Sequence, residues 1–151
     1  TTSTATTAIL SNTTLSIAPA VPFIVTGQWM KGLNSTGSGT VTLGLALNGT
    51  TYLNSTVVGG GDAAQYNGVF WFFIGPRNTP STIGTFGNFI ANVLGYNFSS
   101  GTPTQTQLFT NAGGIPTGTT IGTVSIVGSV GTIITRLAIG GLHVYTLPTG
   151  T

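Results

Sequence analysis

The sequence predicts an all-β protein: an antiparallel β-sandwich, jelly-roll-like, of eight or nine strands. Three observations predict it. Apolar residues alternate with Thr, Gly and Ser at a period of two, the spacing that sends one face of a strand into a core. Short apolar runs recur at intervals of roughly ten residues with turn signals between them, the rhythm of a sandwich. Polarity comes from Thr, Ser, Asn, Gln and 24 glycines instead of from charge. Thr favours strands, and Gly favours turns and bulges.

The elements follow in order. Residues 1–16 are rich in Thr, Ser and Ala and are expected to form an extended N-terminal arm or edge strand; 17–151 form a single β-sandwich domain. Pro19 and Pro22 bracket a turn, after which Phe23 to Met30 reads as a strand. The clearest signal is the next hairpin. Val41, Leu43, Leu45 and Leu47 alternate with Thr42, Gly44 and Ala46, and Asn48-Gly49 supplies two residues that tolerate the positive φ of a type I′ turn. Tyr52, Leu53, Val57 and Val58 mark the returning strand. Val69 to Ile74 is apolar at every position and is expected to be a central strand covered on both faces. Phe86 to Phe98 fits helical and strand spacing, and its glycines and strand-rich surroundings favour strand. Gln105 to Thr110 and Thr119 to Val130 are further strands. Ile133 to Ile139 and Leu142 to Leu147 are expected to be the last two, with Gly140-Gly141 between them as a bulge or kink.

Charge sets the limits on function. Among 151 residues, Lys31, Arg77 and Arg136 face a single acid, Asp62, for a net charge of +2. Three scattered cations make no phosphate-binding stripe, so no nucleic-acid partner is expected. The longest apolar run falls far short of a bilayer span, so no membrane span is expected. The chain opens on Thr1 without a methionine, which fits removal of an initiator or of a secretory leader. With no Cys, no Glu and one His, neither a carboxylate pair nor a metal cage can be built; no catalytic residue, cofactor or metal is expected. A Ser–His–Asp set can be written on paper from His143, Asp62 and a serine, but the Gly-x-Ser-x-Gly elbow is missing. His143 reads as a surface or cross-strand residue.

Two kinds of modification site remain. Five Asn-x-Ser/Thr sequons make Asn12, Asn34, Asn48, Asn54 and Asn97 candidate N-glycan acceptors, with Asn48 competing with its own turn. Lys31, an Asn side chain and Asp62 are the candidate set for an intramolecular isopeptide bond, which needs a lysine and an acid together in an apolar setting.

The strand, Gly/Asn/Ser-rich loop and Thr-Val-Thr-Leu-Gly-Leu-Ala-Leu-Asn-Gly-Thr pattern from Phe23 to Tyr52 resembles β-sandwich subunits of virions. Ile121 to Gly128, leading to Leu142-His143-Val144-Tyr145-Thr146-Leu147-Pro148, is similar to the closing strands of phage tail, fibre and capsid-decoration jelly rolls. The resemblance spans about half of the chain through residue-class patterns. It implies a non-enzymatic structural protein at a virion surface, partnered with copies of itself and with other virion or surface structural proteins. The alternative is a secreted microbial filament or surface-layer subunit, archaeal ones included, joined by donor-strand pairing of the N-terminal arm. A carbohydrate-binding sandwich would need exposed aromatics, and Trp29 and Trp71 are both expected in the core.

Overall fold

The computed structural model describes residues 7–33, 41–58, 66–77, 89–97, 103–110, 118–130 and 135–149. All regular structure among them is strand. In chain order the strands are β1 (Thr7–Asn12), β2 (Phe23–Leu33), β3 (Val41–Leu47), β4 (Thr50–Val58), β5 (Tyr66–Ile74), β6 (Phe89–Asn97), β7 (Pro103–Thr110), β8 (Val124–Val130) and β9 (Thr135–Thr146). They form two antiparallel sheets, one in the order β1-β8-β3-β4 and the other in the order β7-β6-β5-β2-β9.

One core joins the sheets. Val41, Leu43, Leu45, Leu47, Val124, Ile126 and Val130 project from the four-stranded sheet onto Phe23, Val25, Trp29, Phe70, Phe72, Ile74 and Leu137 of the five-stranded one. The β3–β4 hairpin forms as its sequence predicts. Leu47 pairs with Thr50, and Asn48 and Gly49 take φ of 48° and 83°, the positive values the tight turn needs.

The even-numbered face of β3 is also closed, which the alternation did not foretell. Gly44 and Ala46 are buried beside Val127 and Ser125 of β8, and the Thr42 and Ser129 hydroxyls hydrogen-bond at 2.7 Å. A side chain at Gly44 would strike the carbonyl of Leu53, so only glycine lets the hairpin strands close.

Two expectations need correction. Tyr66–Ile74 is a central strand, but only its Phe70, Phe72 and Ile74 face is buried; Trp71 and Phe73 are half-buried and Val69 is 44% exposed. Only one face of β5 meets the other sheet, so apolar residues on both faces do not become burial on both faces. The last two predicted strands are one strand, β9, which pairs with β2 along its length. Gly141, at φ 62°, is skipped in the register between Gly140 and Leu142, so the glycines make a bulge inside a continuous strand. The ambiguous segment is strand over Phe89–Asn97.

The hairpin gives a paired test. Leu45→Ala empties a fully buried site and should cost about 2–5 kcal/mol. At Gly49 an added side chain meets open space, so Gly49→Val should cost about 1–3 kcal/mol through backbone strain alone. Urea denaturation of both variants checks the ranking.

Candidate functional site

Three chain segments meet at one end of the sandwich. The first follows β1, the second follows β5 and the third precedes β8. Ile17 and Ile121 exchange backbone hydrogen bonds of 3.0 and 2.9 Å, an isolated antiparallel bridge between the first and third. Arg77 fastens the second to both. Its amide donates to Pro19 O at 2.7 Å, and its own carbonyl accepts from Gly118 N at 2.9 Å.

The Arg77 side chain is 1% exposed. Nη1 donates to Thr119 O at 2.9 Å, Nη2 to Ala18 O at 3.3 Å and Ile17 O at 3.4 Å, and Cζ lies 5.6 Å from the Phe23 ring centroid. Nε is buried without a hydrogen-bond partner. The cation is therefore held by carbonyl dipoles and an aromatic face. Burial lowers the guanidinium pKa from its ordinary value, because removing water disfavours the charged form. The folded pKa lies below the unfolded one, so this group would add stability only as pH rose through the guanidinium range. At lower pH its desolvation cost is constant and contributes no slope.

Asn48 fastens the hairpin to the same segment. Its Oδ1 accepts from Gly122 N at 2.9 Å and Thr123 N at 3.1 Å, Nδ2 donates to Thr120 O at 3.0 Å, and its amide donates to Thr123 O at 2.9 Å. The atom that would carry an N-glycan thus already serves the fold. Asn12 Oδ1 accepts from Thr14 N at 3.2 Å and Thr14 Oγ1 at 3.3 Å, a turn within its own sequon. Asn54 is exposed on β4. Asn97 ends β6, and Asn34 lies outside the described residues.

The candidate cross-link is seen from one side. Lys31 is fully buried on β2, with Nζ 5.4 Å from the Tyr66 ring centroid, which is the apolar setting such chemistry needs. Asp62 lies outside the described residues.

His143 is exposed on β9, and its ring stacks on Tyr145 with centroids 6.1 Å apart and planes at 21°. Beside it, across the outer face of the five-stranded sheet, runs an open groove of about 550 Å³. Trp71 forms part of its lining, so this tryptophan is not the core residue the sequence predicts; Trp29 is. No cluster of three or more potential metal ligands occurs among the described residues. No helix among them is long and apolar enough to cross a membrane.

Sequence reasoning missed both Arg77 and the groove. A lone arginine just after an apolar strand, in a chain nearly without charge, was the available signal for the first. The groove had none, because Trp71 sits in a run apolar at every position. No family model, curated protein or solved structure gives a significant match to this chain, which stands as an all-β, two-sheet protein on its geometry.

Asn48→Gly keeps a residue suited to positive φ and removes only the three side-chain hydrogen bonds. At about 1 kcal/mol net for each, the loss should be about 3 kcal/mol in urea denaturation. A loss under about 0.5 kcal/mol would mean that the side chain is idle.

Proposed function

We propose that this chain is a non-enzymatic structural protein: a jelly-roll-like, self-assembling subunit of a virion surface, as a capsid decoration, fibre or tail component. The observation that supports it best is the distribution of bulges. Among the described residues, every register shift between paired strands falls on an edge strand: Ile9 on β1, Tyr52 and Val57 on β4, and Gly141 on β9. Bulges interrupt an edge and discourage pairing with another chain.

The fourth edge, β7, pairs with β6 in unbroken register from Tyr96↔Pro103 to Phe89↔Thr110. Its sequence, Pro-Thr-Gln-Thr-Gln-Leu-Phe-Thr, holds no charge. Pro103 sits at its start, where a missing N–H costs the ladder least. Among the described residues no strand pairs with its outer side. A regular, neutral edge beside three interrupted ones is the arrangement by which a second copy extends a sheet. The crossings between sheets from β1 to β2 to β3, from β4 to β5 and from β7 to β8 to β9 are of the kind jelly rolls use.

The secreted-filament reading is favoured by a different feature. β1 is an edge strand near the start of the chain and, among the described residues, pairs with β8 alone, so it can be exchanged between copies without unthreading the rest of the fold. Mass spectrometry of the native assembly separates the two. Co-purifying capsid proteins and nucleic acid mean a virion, and one glycosylated species means a filament.

Assembly through β7 has its own test. Light scattering at micromolar concentration should show a stable homo-oligomer, and Gln105→Lys with Gln107→Lys should dissociate it into monomers that keep the wild-type strand content by circular dichroism. A wild-type monomer would count against both readings. An oligomer indifferent to the two lysines would move the interface elsewhere.

A further inference from the structure

We propose that the groove on the outer face of the five-stranded sheet binds a neutral saccharide, a function separate from assembly through β7. The groove follows from register. Thr26 of β2 lies between Trp71 of β5 and His143 of β9, its direct partners on either side, and Gln28 lies between Val69 and Gly140. Trp71 and His143 therefore stand two strand spacings apart, roughly 10 Å, with the short Thr26 between them. An aromatic wall rises on each side of a hydroxyl floor.

The glycine bulge opens one end. At Gly140 and Gly141 two successive positions of β9 carry no side chain. A Cβ built at Gly140 meets nothing within 4 Å, so the space above it belongs to the groove. Gly141 takes φ 62° and lets the strand resume with His143 pointing outward. The resulting volume of about 550 Å³ falls within the range of small-molecule sites.

The lining selects the chemistry. None of the groove's side chains is Lys, Arg, Asp or Glu, so a charged ligand would give up its hydration without gaining an ionic partner. A neutral apolar ligand would cover the Thr26 hydroxyl without offering it a partner and would make no use of the Gln28 amide at the rim. A sugar ring matches both requirements: its C–H face packs on an aromatic side chain, and its hydroxyls both donate and accept. Trp71 is half-buried in the sheet and so held in place to offer a ring, while the His143 ring is backed by Tyr145, itself 54% exposed. Gln28 is exposed and brings two donors and an acceptor to the rim.

The test uses the full chain and a panel of glucose-, galactose- and mannose-terminated neutral oligosaccharides with their sialylated counterparts. Binding is read by tryptophan fluorescence, to which Trp71 responds and the buried Trp29 does not, and by calorimetry. At least one neutral oligosaccharide should bind, and no sialylated form should bind more tightly. Trp71→Ala should weaken binding by about tenfold or more. Gly140→Leu, at a position with ordinary backbone φ, should fill the groove and abolish binding while leaving the melting temperature and the oligomer unchanged. Failure of every neutral oligosaccharide to bind at millimolar concentration would overturn the proposal. So would tighter binding of acidic forms, or binding that survives both substitutions. A change of oligomeric state in Gly140→Leu without saccharide binding would assign the groove to a second copy instead.

Discussion

The buried guanidinium of Arg77 is the interaction on which the closed end of this sandwich depends. Withdrawing such a cation from water costs several kcal/mol, and a carboxylate is the usual compensation. Here three backbone carbonyls and the Phe23 ring surround it. Hydrogen bonds to a charged group contribute about 1.5–3 kcal/mol each, so three of them are on the scale of the desolvation they offset. The carbonyls of Ile17, Ala18 and Thr119 belong to irregular segments; those of Ile17 and Ala18 also accept the amides of Ile121 at 2.9 Å and Val21 at 3.0 Å, so the guanidinium adds to backbone bonds already in place. One side chain thereby organises backbone from three distant parts of the sequence.

The same shortage of charge shapes the edges. Sandwiches commonly protect free strand edges with lysines or inward-pointing charges. This chain has three cations in all, and bulges take over that role on β1, β4 and β9. On β9 the device has a second effect, because the two glycines that interrupt the edge also open the groove beside Trp71. A protective feature and a recess for a ligand thus share the same two residues. The register of β7 lacks such an interruption, which is the observation behind the proposal that copies assemble through it.

Sequence reading succeeded where structure is local. The Asn48-Gly49 turn, the alternation of β3 and the strand at Phe89–Asn97 follow from neighbours a few residues apart. So does the surface position of His143. It failed where a property belongs to the sheet. Whether Trp71 is covered depends on which layer lies above β5, and a run apolar on both faces cannot say. The continuity of β9 depends on its pairing with β2, across which two glycines become a bulge instead of a break. Arg77 reads in sequence only as one of three scattered cations, because the carbonyls that hold it lie about sixty and forty residues away.

Native-state amide hydrogen exchange measures the role of Arg77 most directly. In the wild-type chain the amides of Ile17 and Ile121, which bond across the closed end, should be protected to nearly the level of the β3 and β8 core amides. In Arg77→Met they should exchange about 100-fold faster, equivalent to about 2.7 kcal/mol, while the Leu43, Leu45 and Ile126 amides slow down or change far less. Protection of Ile17 and Ile121 that is unchanged in Arg77→Met, and equally in Arg77→Lys, would contradict the assignment of that end of the fold to this one cation.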